Sequence, residues 1–310
     1  MANFVIIPDA SCDLTKDLRD RFDIPEYLHG YITFPDGHDE KCDLDWQNIS
    51  AEEYFRTMSE DKAIYKTAGV GITEAEEVFE KYLSQGIDVI NITLSSGISS
   101  TYGYCKKAAD NMQAKYPDRK IYCIDSLRYS TSLSLLVALA AEKKAEGATV
   151  DEVAAFLEEK KHCIHQMGPM DDLFFLVRTG RISNVKAFFG SLVGVNPMAD
   201  FNEKGVSEVL AKFKGKKAAL DAVIKYMKGT ITDPENQIIF VAHSNRPEAA
   251  EKLAAMIKAE FNPKEIIINT VGMACGANIG PGLCAAFYEG KPISHDMAEE
   301  KALMATIAQK

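Results

Sequence analysis

At 310 residues the chain is long enough for two domains of ordinary size, each with its own core. Hydrophobic residues at 46% and charged residues at 26% exclude a disordered or fibrous chain, and no repeat or low-complexity tract interrupts them. The formal net charge of −10 excludes a sequence-independent grip on nucleic acid, so any bound anion must be held by local donors.

The opening MANFVIIPDA runs straight into a strand-like segment, with no basic leader and no apolar run of membrane-spanning length, so a cytoplasmic protein without integral membrane association is expected. Residues 3–8, 88–94 and 120–125 are short apolar runs ended by turn-forming polar residues, the pattern of buried strands. Between the first two, a helix is predicted over 73–85. Thr73 and Glu76 have capping-box spacing, and Ala75, Val78, Phe79 and Tyr82 share one face. Thr149 with Glu152 opens another helix, with Val153, Phe156 and Leu157 on its inner side. This alternation predicts an α/β fold whose first sheet is largely parallel and covered on both faces.

Gly168-Pro169 is expected to break the preceding helix, which sets a domain boundary near Gln166 to Met170 and divides the chain into 1–166 and 167–310. Beyond it, 196–201 and 206–212 flank the turn Asn202-Glu203-Lys204-Gly205 as a hairpin. An amphipathic helix (Leu220, Val223, Ile224, Met227), the strand QIIFVAHS, a second helix (Leu253, Met256, Ile257) and the strand KEIIINTVG make a second α/β domain. The bend Asn278-Ile279-Gly280-Pro281-Gly282 is read as following the last strand.

The segment Ser95-Ser96-Gly97-Ile98-Ser99-Ser100-Thr101 lies between a buried strand and a helix, at the sheet edge where open α/β folds place ligands. Its hydroxyls, with the free amides of the next helix, suit a carboxylate or phosphate; equally, they could only cap the helix. Thr67-Ala68-Gly69-Val70-Gly71 is a second such turn, in which Gly69 and Gly71 let backbone approach a ligand. It is no dinucleotide fingerprint, since Glu74 stands where the third glycine belongs, and the chain has no P-loop. Arg178-Thr179-Gly180-Arg181 offers guanidinium forks for an oxyanion.

Catalytic signals are sparse. No G-x-S-x-G elbow occurs, and the scattered cysteines, odd in number and without a C-x-x-C pair, indicate neither disulfides nor zinc. His162 and His165 lie on a segment read as helical, with Cys163 between them but no acidic third ligand, so a structural role is favoured over a metal. Asp9-Ala10-Ser11-Cys12-Asp13 reads as a cap after the first strand.

In order along nearly the whole chain, these segments resemble the DegV family. Asp9 to Leu14 resembles its D-S-x-x-D-L segment, Ser95 to Tyr102 its S-S-G-L-S-G-T-Y loop, Cys123 to Ser126 its I-D-S strand end, Gly180 to Ser183 its G-R-I-S segment, and Gly280 to Gly282 its G-P-G bend. The resemblance implies two α/β domains with a ligand site between them and a fatty-acid-binding protein, not an enzyme, that uses no cofactor. In relatives of the FakB kind, the bound carboxylate is presented to a separate fatty acid kinase for phospholipid synthesis. The matching carboxylate contacts are Thr67, Ser95 or Ser96, Arg181 and Asn278, with Gly69, Gly71, Gly97 and Ser126 as loop contacts. Two departures bear on presentation: the family's T-S-Q-P-S keeps only Thr67 here, and Asn278 replaces its histidine. The competing reading is a small-molecule enzyme or metabolite sensor acting on a phosphate or carboxylate at the same serine-rich cup.

Overall fold

The computed structural model describes residues 3–183 and 195–309. In chain order its strands are β1 (Phe4–Pro8), β2 (Tyr31–Thr33), β3 (Asp39–Lys41), β4 (Lys66–Ala68), β5 (Asp88–Thr93), β6 (Ile121–Asp125), β7 (Ile164–Met167), β8 (Ile182–Ser183), β9 (Val195–Phe201), β10 (Ser207–Lys214), β11 (Ile238–His243), β12 (Glu265–Thr270) and β13 (Cys284–Glu289). Its helices are α1 (Lys16–Arg21), α2 (Ala51–Glu60), α3 (Ile72–Leu83), α4 (Thr101–Lys115), α5 (Thr131–Ala145), α6 (Val150–Lys160), α7 (Phe174–Thr179), α8 (Lys216–Thr230), α9 (Pro247–Phe261), α10 (Met273–Ile279) and α11 (Ala298–Ala308).

The three apolar runs of the first half form the parallel sheet β1-β5-β6. Their near-continuous hydrophobicity has a direct cause: helices cover both faces, so neither side of the strand meets water. On one face Ile7 and Val89 pack with Phe79 of α3 and Cys105 and Ala108 of α4. On the other, Ile6, Ile90 and Ile124 join Leu133, Leu136 and Val137 of α5. Two of the three strands are fully buried on both faces, β1 through Ile6 and Ile7 and β5 through Val89 on one side and Ile90 and Ile92 on the other, which makes this layer the rigid base for the loops at its carboxyl edge.

The C-terminal sheet runs β12-β11-β13-β7, with β11 and β12 parallel and β13 antiparallel to both β11 and β7. The hairpin read at Asn202 to Gly205 is present as β9 and β10, antiparallel, with β8 alongside β10. A small antiparallel sheet, β3-β2-β4, lies beside the first. Its three-residue strands are too short for a recognisable alternation of polar and apolar residues.

Four local readings are corrected. Helix α3 begins at Ile72 with Gly71 as its N-cap, so Thr73 lies inside the first turn and caps nothing, while Glu76 accepts from Asn111 Nδ2 at 2.6 Å. By contrast, the Thr149–Glu152 capping box forms as read. The segment before Gly168 is not helical: α6 ends at Lys160, and 164–167 form β7, paired with β13 in the C-terminal sheet. His165 is therefore a strand residue, separated from His162 by an intervening turn, and the two make no helical pair. Finally, the glycine-proline bend precedes the last strand. Asn278 ends α10, Gly280 and Gly282 turn the chain with φ of +76° and +104°, and β13 follows. Those angles are left-handed territory that a side chain resists, and a Cβ on Gly280 would stand 2.2 Å from the Phe175 ring.

Candidate functional site

Three loops leave the carboxyl-side edge of the first domain and meet α10 and α7 around one cavity of about 410 Å³. That size lies within the range of about 300 to 1,000 Å³ usual for small-molecule sites. After β1, Asp9 caps a short 3-10 turn, its Oδ1 accepting from the Ser11 amide at 2.8 Å and from the Ser11 hydroxyl. Its Oδ2 accepts from the Leu94 amide at 2.7 Å, which ties the β1 and β5 loops together. Asp9 is thus a cap, as its sequence suggests, and also a wall of the cavity. Burial pushes its carboxyl above the usual range, against the lowering effect of those three donors.

After β5, the hydroxyl-rich loop enters α4. Ser99, Ser100 and Thr101 line the cavity; the Ser99 and Thr101 hydroxyls are 2.9 Å apart, and the Thr101 amide donates to Ser99 Oγ at 3.2 Å. Ser100, the N-cap of this 15-residue helix, makes no side-chain cap bond. The amino-terminal end of the helix, with the positive end of its dipole, thus stands at the cavity wall through Ser100 and Thr101. The β4 loop closes against the β5 loop at Gly69, where a Cβ would sit 2.3 Å from Thr101 Oγ1. A side chain here would have to displace the Thr101 hydroxyl.

On the facing side, Asn278 Nδ2 donates to Thr67 Oγ1 at 3.2 Å, joining α10 to β4 across 211 residues of sequence. Arg181 follows α7 and also lines the cavity. Its Nη1 donates to the Thr179 carbonyl, and its guanidinium forms no ion pair among the described residues. Arg178 is exposed, lies over the Phe175 ring at 6.0 Å and does not line the cavity. Apolar walls come from Leu94, Ile98, Leu176 and Ile279. Tyr129, Leu176 and Ile279 also line a narrow inner slot of about 20 Å³ that continues past Met170, Ile182 and Phe287.

Of the contacts implied by the family resemblance, the cavity brings together Thr67, Gly69, Arg181 and Asn278 but not Ser95, Ser96, Gly71, Gly97 or Ser126; of the hydroxyl-rich loop it takes Ser99, Ser100 and Thr101. Ser95 is fully buried and shapes the loop: its amide donates to the Arg128 carbonyl at 2.8 Å and its hydroxyl accepts from the Gly97 amide at 3.1 Å. Ser96 is exposed, its amide bonded to Asp125 Oδ1 at 3.0 Å. Gly97 packs on the β9–β10 turn, where a Cβ would stand 2.2 Å from the Lys204 carbonyl oxygen. Gly71 caps α3, and the Ser126 hydroxyl donates to the Arg128 carbonyl at 2.9 Å. His29, Tyr104 and Tyr129 line the cavity without any sequence signal. His29 Nδ1 faces the Cys42 carbonyl at 3.0 Å and must donate to it.

No cavity residue belongs to a metal-like cluster. Among the described residues, Glu203, His295 and Asp296 are the one group of three potential ligands that converge, and none of them lines the cavity. His165 is consumed in a buried network, with Nδ1 at 2.6 Å from Asp200 Oδ2 and Nε2 at 2.8 Å from the Lys291 carbonyl.

With this geometry, comparison with known proteins is specific. The family model described as "Uncharacterised protein, DegV family" matches residues 3–291. The chain belongs to the DegV family. A DegV domain-containing protein of Clostridium perfringens is 33% identical over 290 residues, covering 94% of this chain and 98% of its own. Among solved structures, a fatty-acid-binding DegV family protein from Thermus thermophilus superposes with a TM-score of 0.82 at 21% identity, covering 93% of this chain and 99% of its own. The Fatty Acid Kinase (Fak) B3 protein of Streptococcus pneumoniae, loaded with linoleic acid, does so with 0.77 at 20%, covering 93% and 99%. At these identities the structural likeness establishes the shared two-domain α/β fold, as the resemblance implied. No helix among the described residues is long and apolar enough to cross a membrane.

Proposed function

We propose that this DegV family protein is a carrier of long-chain fatty acids that presents the acyl carboxylate to a separate fatty acid kinase in the cytoplasm and performs no chemistry on it. The observation that carries this reading is the polarity gradient from the cavity to the inner slot that shares its Tyr129, Leu176 and Ile279 wall. One end holds the α4 amino terminus, Thr67, Asn278, Ser99, Thr101 and the Arg181 guanidinium, which has no ion pair among the described residues; the other lies by Leu176 and Ile279, which also line a mainly apolar slot. A carboxylate suits the first end, because helix-terminal amides and Arg are charge-matched donors. An alkyl chain suits the second, gaining about 0.8 kcal/mol per buried methylene. In this reading Thr67, Asn278, Arg181, Ser99 and Thr101 hold the carboxylate, while Ser95, Ser96, Gly97 and Ser126 keep the loop in shape. His29, engaged with the Cys42 carbonyl, is not paired with a cavity serine in the manner of a nucleophile and its base.

Fatty acid binding by the Thermus protein, and the name and linoleate ligand of the streptococcal one, support the assignment of ligand and partner. Denaturing extraction of the purified protein followed by mass spectrometry tests it. The expected result is a long-chain fatty acid at about one per chain; an extract holding only polar metabolites sinks the carrier reading.

A further inference from the structure

The inner slot is mainly apolar; apart from Ser130, whose hydroxyl is spent on Asp13, its polar side chains are Tyr129, Ser207 and Gln166, which converge from the β6–α5 loop, the start of β10 and β7. Tyr129 and Ser207 are 5% and 1% exposed. The Gln166 amide donates to Ser207 Oγ at 2.5 Å, and the Ser207 and Tyr129 hydroxyls share one hydrogen bond of 2.5 Å. Burial pushes the Tyr129 phenol up to about 12, so it keeps its proton at neutral pH.

In this arrangement the hydroxyl protons and acceptors of the cluster are not all matched. Each hydroxyl carries one proton and the amide two. The single bond between the hydroxyls uses the proton of one of them. The other hydroxyl proton has no acceptor among the described residues, even if the second amide proton reaches Tyr129. Turning the amide over lets its oxygen accept from Ser207 and places its two protons on the half-buried side of the cluster. In the orientation of the structure one hydroxyl proton therefore has no acceptor among the described residues, and a plain alkyl chain in the slot cannot supply one. The slot is large enough for about one water. A hydrocarbon tail would expel such a water without replacing its bonds, and that loses affinity.

We propose that Tyr129, Ser207 and Gln166 form a specificity site for an oxygen atom on the acyl tail, so that the preferred ligands are long-chain fatty acids bearing a mid-chain hydroxyl or keto group. This rests on the carrier reading and names its substrate class. A tail oxygen accepts the stranded proton, and a hydroxyl can donate in return to a free lone pair of the cluster. Leaving a buried donor without an acceptor costs affinity, so the oxygenated chain should bind on the order of tenfold more tightly.

The test titrates the delipidated full-length protein with stearic acid and with hydroxystearic acids carrying the hydroxyl at successive mid-chain carbons. At least one hydroxystearate should bind about tenfold more tightly than stearate, and Ser207→Ala and Tyr129→Phe should each bring that ratio close to one. Should either variant fail to fold by circular dichroism, Gln166→Met on the half-buried side of the cluster gives the same readout. Stearate binding as tightly as every hydroxystearate, or a preference that survives the substitutions, overturns the proposal. The first of these results leaves the carrier reading intact, whereas no binding by any of the acids removes both.

Discussion

Two polar regions of this molecule look alike in composition and differ in how their hydrogen bonds are spent. Around Asp200, in the C-terminal half, every group is matched: Oδ1 accepts from the Gln166 and Phe201 amides at 2.9 and 2.7 Å, and Oδ2 from His165 Nδ1 and the Tyr226 hydroxyl at 2.6 and 2.8 Å. Both His165 nitrogens face acceptors, so the ring is an imidazolium between a carboxylate and a carbonyl, stacked on Tyr288 at 5.5 Å. The cavity at the first sheet's edge is the reverse. Its Ser100 hydroxyl makes no cap bond, and the Arg181 guanidinium lines it without an ion pair among the described residues. A saturated polar cluster fixes the fold, while an unsaturated one at a cavity marks where a ligand completes the bonding.

The comparison is broken most sharply at Asp200. Asp200→Ala strips partners from four donors and leaves the buried imidazolium unpaired, and should cost about 3 to 5 kcal/mol in denaturant unfolding with the cavity residues untouched. A loss below about 1 kcal/mol would show that the network is not holding the C-terminal sheet. Its pH dependence has a definite sign. Burial alone would lower the His165 pKa, but the charge and hydrogen bond of Asp200, with the Lys291 carbonyl, raise it above 6.5. This contribution to stability is complete below about pH 6.5 and disappears as pH rises through the higher folded value. Asp200→Asn should flatten that part of the stability profile.

At the cavity, binding should suffer more than stability. Arg181→Ala is expected to weaken fatty acid binding by about 1.5 to 3 kcal/mol, the worth of a charge-assisted contact, and Arg178→Ala by little. Equal effects in calorimetric titration would remove Arg181 from the site. Gly69→Ala, which drives a methyl toward Thr101 Oγ1, should cost about 1 to 3 kcal/mol of overpacking, read mainly as lost ligand affinity. Gly71→Ala, with no atom within 4 Å of its Cβ, is the matched control. The smallest expected effect separates two caps that look equal in sequence: Thr149→Ala should cost about 1 kcal/mol of stability and Thr73→Ala much less, since only Thr149 caps its helix.

Much of this was legible from residues in order. Buried parallel strands announce themselves because both faces need apolar side chains, and β1, β5 and β6 lie within a residue or two of the runs at 3–8, 88–94 and 120–125. The β9–β10 hairpin and the Thr149 cap are also local, set by neighbours a few positions away. The serine-rich loop was recognisable for the same reason, because a strand end followed by hydroxyls and a helix start is a contiguous pattern.

Which of its hydroxyls face the cavity was not legible. The chain's turn after Thr93 directs Ser95 inward to the Gly97 amide and Ser99 to Thr101 toward the opening, and that direction depends on the Arg128 carbonyl and the hairpin at Lys204 and Gly205, far along the sequence. Nor could spacing foretell that Asn278 would meet Thr67, or that His165 would leave its apparent helical partner for a strand against Asp200. The sequence by itself determined the α/β class, the parallel sheet and the family, since those follow from short-range periodicity and contiguous motifs. The tertiary structure alone decided which polar groups are saturated and which remain open to a ligand, because hydrogen-bond satisfaction depends on partners that only folding brings within 3 Å or so of one another.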